Sequence, residues 1–248
     1  FDGDAYNTAV GYAAGKELFS GIQNTIMGGL AGDALTTGSD NVAIGYAALS
    51  AEDTGGRSVA IGRAALGSQN NDASNYNVAV GYNAGTSITE GTTNTLIGGL
   101  AGDAITTGSS NTMFGYNAGS SLTTAGLNTI IGSLAGDALV DGHSSVALGY
   151  NALSAEVSGN NNVAIGASAL GVQNHDTDNY NVAIGSSAGA AVSTGVNNTI
   201  IGGLAGDALT TGSNNIIIGK NAAASAVDVS NEITLGDANI SAFRCADQ

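Results

Sequence analysis

Asn41-Val42-Ala43-Ile44-Gly45 is one copy of a phrase, Asn-x-x-apolar-Gly, that returns along almost the whole chain. Thirteen copies are spaced 17 residues apart, apart from two steps of 19, and two of them have Ser in place of Asn. The copies begin at residues 7, 24, 41, 58, 77, 94, 111, 128, 145, 162, 181, 198 and 215, and a weaker fourteenth begins at 232. A short fixed period indicates a solenoid in which each repeat is one rung. We therefore predict that residues 1–236 form a single elongated shaft.

Composition restricts the classes of function. The 248 residues include 39 Gly and no Pro, which suits a backbone whose donors are committed to β-ladders. Five basic and twenty acidic residues give a net charge of −15, which argues against a nucleic-acid partner. A single cysteine, Cys245, excludes an internal disulfide. The sequence has no apolar run long enough to predict membrane insertion.

The rung has two apolar columns on its strand. Counting the Asn as position 1, position 4 is always large and apolar, from Val10 to Ile218, which is typical of a strand side facing a core. Position 3 points to the opposite face of the strand and is also apolar, from Ala9 to Ile217. One coil can bury only one face of its strand. We therefore predict that a second copy of the chain covers the other face.

Other columns predict how each rung turns and packs. Position 5 is always Gly, which indicates a positive φ or a close approach, and position 8 is always Ala. Where position 9 is Gly, as at Gly32, position 12 is aliphatic, as at Leu35; where position 9 is Leu, as at Leu49 and Leu153, position 12 becomes Glu52 or Glu156. This exchange indicates one cavity per rung that is filled from either side. The Asn side chains at position 1 should stack as an amide ladder.

The phrases Asn41–Leu49, Ser58–Gly62 and Asn162–Gly166 resemble the head repeat of trimeric autotransporter adhesins of the YadA type. The resemblance implies an all-β fold, a parallel β-roll or β-solenoid of about 14 rungs, with three chains packed as a homotrimeric rod. The rung of 17 residues is longer than is usual in that family, so longer corners are expected.

The segment Asn231–Cys245 is similar to the part of bacteriophage tail fibres that precedes an endosialidase-type intramolecular chaperone. That resemblance implies that residues 237–248 precede a chaperone that trimerises the fibre and is then cleaved away. It favours a receptor-binding shaft on the virion that attaches a phage to a surface glycan or outer-membrane protein of its bacterial host. The alternatives are the head of a bacterial trimeric adhesin, located at the cell surface, and a polysaccharide-degrading spike.

The two rungs of 19 residues each carry an enlarged loop, Gln69–Tyr76 and its echo 104 residues later, Gln173–Tyr180. Loops rich in Asn, Asp and Tyr on a rigid shaft suit sugar hydroxyls or a calcium ion, although a solvated bulge that corrects the stagger is the alternative. The candidate receptor-binding residues are Asn70, Asn71, Asp72, Asn75, Tyr76, Asn174, His175, Asp176, Asp178 and Tyr180.

Two further columns are weaker candidates. Aspartates recur in the phrase Leu-Ala-Gly-Asp-Ala, at Asp33, Asp103, Asp137 and Asp207. Three chains could bring these carboxylates onto a metal, but Asp after Gly is ordinary turn chemistry, and that explanation is favoured. No pattern requires a cofactor, and Ca²⁺ is the one ion suggested. A tyrosine at position 6 of every second rung, from Tyr12 to Tyr150, could stack on sugars or cover a small residue of a neighbouring rung.

An enzymatic function is not expected. His143 and His175 are the only histidines, they fall in different columns, and neither belongs to a nucleophile–base pattern. Paired carboxylates could hydrolyse glycans, but no rung has an insertion long enough to build a cleft.

Overall fold

A computed structural model describes residues 5–242 and shows one parallel β-sheet wound as a solenoid of about 13 turns. The described part of the chain contains no helix. The fourteen strands have three residues each and are hydrogen-bonded in chain order: β1 Thr8–Val10, β2 Thr25–Met27, β3 Val42–Ile44, β4 Val59–Ile61, β5 Val78–Val80, β6 Thr95–Ile97, β7 Thr112–Phe114, β8 Thr129–Ile131, β9 Val146–Leu148, β10 Val163–Ile165, β11 Val182–Ile184, β12 Thr199–Ile201, β13 Ile216–Ile218 and β14 Ile233–Leu235. The predicted all-β fold, a parallel β-solenoid with a 17-residue repeat, is confirmed.

Each strand pairs in register with the same positions of the next rung. Val42 lies beside Val59 and Ile44 beside Ile61, and the register holds across the 19-residue rungs, where Val59 lies beside Val78. The two extra residues are therefore absorbed by a loop, and the strand ladder continues unbroken. At about 4.8 Å per rung, the sheet is on the order of 60 Å long.

The core is one continuous stack of side chains inside the coil. The middle residue of each strand from β2 to β13, at position 3, is fully buried or nearly so, and the Ala at position 8 is also buried from Ala31 to Ala222. The shared cavity is confirmed, because a Cβ on Gly32 would lie 2.8 Å from Cδ1 of Leu35. Where position 9 is Gly, the aliphatic side chain at position 12 fills the space beside it, so the packing density of the core stays constant.

The assignment of position 4 to the coil's own core was wrong. The side chains at this position point outward: 53% of Phe114 and 46% of Met27 is exposed, and Ile61 and Ile97 are half-buried. A coil of 17 residues has room for only one strand face, and position 3, with Ala in half of the strands, has the smaller side chains that fit it. The large aliphatics consequently form an outward apolar stripe from one end of the sheet to the other.

The corners depend on left-handed backbone conformations. Gly98 has a φ of +139°, and a Cβ there would lie 2.2 Å from the carbonyl oxygen of Gly115 in the next rung, so glycine at position 5 is required on both counts. Position 7 is also left-handed in the thirteen rungs from Ala13 to Asn221 although it is not glycine, as at Leu100 with a φ of 59°. The residue just before each Asn is left-handed too, as at Thr93 with a φ of 59°.

The predicted asparagine ladder is present. The backbone N–H of Asn94 donates to Oδ1 of Asn77 at 2.9 Å, and the same bond joins Asn111 to Asn94 at 3.0 Å. Nδ2 of Asn94 also donates to the carbonyl oxygen of Gly108 in its own rung at 2.9 Å. An amide bonded in this way satisfies buried backbone groups of two rungs, which is a condition for burying polar chain at all.

The structure describes the C-terminal segment only as far as residue 242. Ile240 donates its backbone N–H to the carbonyl oxygen of Asp237 at 3.1 Å, which makes a turn after β14. The remainder of the predicted chaperone-proximal segment, including Cys245, lies outside the described residues.

Candidate receptor-binding loops

The two enlarged loops leave the solenoid at the same corner, in the rungs that begin at 58 and 162. In both cases a buried glutamate of the preceding rung lies underneath. Glu52 accepts hydrogen bonds from the backbone N–H of Gly55 at 2.7 Å, from Nε2 of Gln69 at 3.1 Å and from Nδ2 of Asn75 at 3.0 Å. A fully buried carboxylate surrounded by donors fixes the path of the loop around it.

The second loop repeats this arrangement. Glu156 accepts from the backbone N–H of Gly159 at 2.8 Å, from Nε2 of Gln173 at 3.0 Å and from Nδ2 of Asn179 at 2.8 Å. Glu at position 12 therefore has a structural role that the exchange with position 9 did not reveal. It is the anchor of a 19-residue rung, placed one rung ahead of the loop that it holds.

Burial raises the pKa of Glu52 above its ordinary value of 4.5, and the donors from Gly55, Gln69 and Asn71 offset part of that rise. Every donor is an N–H group and none requires a protonated carboxyl, so the ionised form satisfies the network. At neutral pH, burial of the ionised carboxylate nevertheless lowers the stability of the folded state.

The structure separates the candidate residues into buried and exposed groups. Asn75 and Asn179 are fully buried against Glu52 and Glu156, which leaves their side chains no surface for a receptor. Asn71 and His175 are half-buried. The candidates that remain exposed are Asn70, Asp72, Tyr76, Asn174, Asp176, Asp178 and Tyr180. Both loops therefore combine a structural base with a solvent-exposed polar rim.

The exposed rim of the first loop is built around an arginine that sequence reasoning missed. Arg57 lies just before the rung that carries the loop, and its Nη1 donates to Oη of Tyr76 at 3.2 Å and to Oγ of Ser74. Its guanidinium carbon stands 5.6 Å from the centre of the Tyr76 ring, within cation–π range. The signal was available, since Arg57 is one of only five basic residues in the sequence.

The rim of the second loop has different chemistry. Asn161 occupies the place of Arg57 and Asp178 that of Ser74, and Nδ2 of Asn161 donates to Oδ1 of Asp178 at 3.2 Å. Oη of Tyr180 donates to Oδ2 of the same aspartate at 3.2 Å, and that carboxylate raises the pKa of Tyr180. The two loops thus share one scaffold but present a basic group in the first and an acidic group in the second.

The candidate metal-binding aspartates do not come together within one chain. Asp103 and Asp137 occupy the same column two rungs apart, at about 9.6 Å along the solenoid. Burial raises the pKa of both carboxyls. Among residues 5–242 no group of three or more His, Cys, Asp or Glu side chains is arranged to hold a metal ion. A site built from this column, to which Asp33 and Asp207 also belong, would need carboxylates from other copies of the chain.

The tyrosine column covers glycines of neighbouring rungs, as one of its two predicted explanations required. A Cβ on Gly29 would lie 3.5 Å from the ring of Tyr46, and a Cβ on Gly99 would lie 3.7 Å from that of Tyr116. Arg63 occupies the same column between Tyr46 and Tyr82 and stands 5.9 and 5.6 Å from the two ring centres. More than half of each of these tyrosines is exposed, so stacking on a ligand is also sterically open.

No protein-family model, no curated protein and no solved structure matches this chain. In the described range 5–242 there is no helix of the length and apolarity needed to cross a membrane.

Proposed function

We propose that this chain is the receptor-binding shaft of a bacteriophage tail fibre, a homotrimer that attaches the virion to the bacterial surface. The observation that carries the proposal is the outward apolar stripe of the sheet. Monomeric proteins rarely expose contiguous apolar patches of more than a few hundred square ångströms, and larger ones mark interfaces. A stripe on the order of 60 Å long, repeated at every rung, suits contact with identical copies in parallel register.

Charge supports self-association through this stripe rather than through the corners. Each chain carries a net charge of −15, so copies repel one another over most of their surfaces. The strand face at positions 2 and 4 holds Thr, Val, Ile, Leu, Met and Phe and no charged side chain from β1 to β14. It is the surface on which two acidic rods can meet without bringing carboxylates into contact.

Rigidity and repetition support the attachment role. Three parallel chains would present three copies of each exposed loop rim at fixed spacing. Linked weak sites gain avidity because the second and third binding events become intramolecular. A shaft of this kind needs no deep pocket, which agrees with two shallow loop rims on a stiff coil.

The mass in solution tests the assembly, and adsorption tests the role. We expect a particle of about three times 24.0 kDa. Replacing the outward residues Ile97 and Ile131 by Asp should dissociate it, since each would bury three like charges at the contact. Thr107→Asp, at an exposed corner, is the matched control and should leave the mass unchanged. A stable monomer of the unmodified chain would contradict the trimer.

Adsorption should be measured with labelled trimer on a panel of bacterial strains that differ in surface glycans and outer-membrane proteins. Specific, saturable adsorption to some strains supports the attachment role. A bacterial adhesin head would bind animal matrix proteins instead, so collagen and fibronectin surfaces serve as the comparison. Saturable binding to the matrix surfaces, with none to any strain, would overturn the phage assignment.

A further inference from the structure

A small groove crosses three successive rungs beside the first enlarged loop. It has a volume of about 180 Å³, below the range of about 300–1,000 Å³ typical of sites for drug-sized molecules, so it suits a single ring rather than an extended ligand. Its polar lining is contributed by Thr37, Ser39, Asp40, Thr54, Arg57, Asp72 and Ser74. The neighbouring rungs therefore place hydroxyl groups, two carboxylates and one guanidinium around one cavity.

Arg57 is fixed in position before any ligand arrives. Its Nη1 is held by Tyr76 and Ser74, its guanidinium stacks on the Tyr76 ring, and its Nε stands 3.7 Å from Oδ2 of Asp40. Within residues 5–242 the two N–H groups on Nη2 make no hydrogen bond. A held guanidinium with free donors loses little side-chain entropy on binding.

The groove also provides free acceptors. Oδ1 of Asp72 accepts a hydrogen bond from Oγ1 of Thr54 at 2.7 Å, and its other oxygen has no donor among the described residues. Free donors on Arg57 thus share the groove with a free acceptor on Asp72. With one guanidinium and two carboxylates, the three charged groups add up to a formal charge of −1.

This balance of charge selects the ligand. An anion such as a uronate or a phosphate would be placed against the carboxylates of Asp40 and Asp72, and a cation would be placed against Arg57; both arrangements cost free energy. A hydroxyl group donates one hydrogen bond and accepts others, so two vicinal hydroxyls can donate to a carboxylate and accept from a guanidinium together. We propose that the groove around Arg57 binds one ring of a neutral saccharide. The inference rests on the proposed attachment function and names the class of receptor that this loop would take.

The second loop provides a comparison within the same chain. At the equivalent places, 104 residues later, Asp40 is replaced by Ser144, Arg57 by Asn161 and Ser74 by Asp178. The scaffold is preserved there because Glu156 and Asn179 repeat the buried base. The donors of the guanidinium are absent, so the saccharide site belongs to the first loop alone.

The test uses the purified full chain and a panel of methyl hexopyranosides, the glucoside, galactoside and mannoside, with methyl glucuronide as the anionic probe. Saturation-transfer NMR titrations give the affinities. We expect at least one neutral glycoside to bind with a Kd of about 1 mM and the glucuronide to bind at least about tenfold more weakly. Arg57→Asn, which installs the residue of the second loop, should weaken neutral binding about tenfold or more through loss of charged hydrogen bonds.

Arg63→Ala is the matched control, because it removes an exposed arginine stacked on tyrosines one corner away and Ala167 stands at the equivalent place. It should leave the affinity unchanged. The site is overturned if no neutral glycoside binds, if the glucuronide binds more tightly, or if Arg57→Asn has no effect. Adsorption to bacteria is a separate measurement: sugar binding without adsorption would remove the attachment function and keep the site.

Discussion

Nδ2 of Asn94 donates a hydrogen bond of 2.9 Å to the carbonyl oxygen of Gly108, fourteen residues further along the same rung. The bond closes the coil, because it joins the start of a strand to the corner that precedes the next strand. Oδ1 of Asn94 accepts from the backbone N–H of Asn111, so the same amide also sets the stacking of consecutive rungs. In this rung, one side chain therefore provides both the closure of the coil and its stacking on the next rung.

We predict that Asn94→Ala lowers the free energy of unfolding by about 2–4 kcal/mol, since it leaves the carbonyl of Gly108 and the N–H of Asn111 without partners and creates a cavity. Asn174→Ala is the control, because Asn174 is exposed and makes no side-chain hydrogen bond within the described chain. Urea unfolding followed by far-UV circular dichroism measures both. Equal midpoints for the two variants would remove the ladder's role in stability.

The same substitution should have different effects at two places in this ladder. Asn128 donates through Nδ2 to the carbonyl oxygen of Gly142 at 2.9 Å, whereas Nδ2 of Asn162, in the rung with the enlarged loop, is buried without a partner. We expect Asn128→Ser to cost about 1–3 kcal/mol. Asn162→Ser should stay within about 0.5 kcal/mol of the unmodified protein, as loss of the weak bond from Asn181 is offset by removal of the unpaired donor.

Ser58 supports that expectation. It occupies the place of Asn162 in the first 19-residue rung, and its Oγ accepts from Nε2 of Gln69 at 2.9 Å. The hydroxyl of a serine at position 162 can accept a hydrogen bond from Nε2 of Gln173 in the same way. Thermal midpoints of the two serine variants decide the point, and a larger loss for Asn162→Ser than for Asn128→Ser would refute it.

The fold could be predicted from the sequence because a solenoid repeats its constraints. Every rung contacts a neighbouring rung in the same way, so Asn at position 1 and Gly at position 5 recur in rung after rung. The inward face was assigned incorrectly because both strand faces are apolar, and the volume available inside the coil, rather than hydropathy, decides between Ala43 and Ile44. Left-handed residues such as Leu100 left no signal, since leucine is not typical of that conformation.

The loops could be located from sequence, but their internal roles could not. Length alone indicated where residues were added, whereas the burial of Asn75 depends on Glu52, which is 23 positions earlier in the chain. Arg57 was overlooked because it precedes the loop in sequence and joins it only through contacts between rungs. A feature that depends on neighbouring rungs is visible only when the coil is built.

Adjacent glycines should differ sharply in their tolerance of alanine. Gly98→Ala would place a Cβ 2.2 Å from the carbonyl oxygen of Gly115 at a φ of +139°, whereas Gly99→Ala would place one 3.7 Å from the ring of Tyr116, an ordinary contact. We expect Gly98→Ala to cost about 3 kcal/mol or more and Gly99→Ala less than about 0.5 kcal/mol. The yield of folded protein and the thermal midpoint measure both, and similar values would contradict the corner geometry.

Lowering the pH should increase the stability of the protein relative to a variant in which Glu52, the buried carboxylate under the first loop, is replaced by a neutral residue. Burial raises the pKa of Glu52 in the folded state above its unfolded value, so the folded state binds the proton more readily. The contribution of this proton to stability is fully present below pH 4.5 and is lost as the pH rises through the folded pKa. The free energy of unfolding of the unmodified protein minus that of Glu52→Gln should therefore increase as the pH falls from 7 towards about 4.

The difference between the unmodified protein and Glu52→Gln already cancels the carboxylates that both share, including Asp103 and Asp137. Glu90→Gln provides the control for the loss of one negative charge, because Glu90 is exposed and lies two rungs later. Urea midpoints at intervals between neutral and acid pH give the difference for each variant. A difference for Glu52→Gln that stays constant, or that decreases on acidification, would mean that the four N–H donors outweigh desolvation and hold the carboxylate ionised.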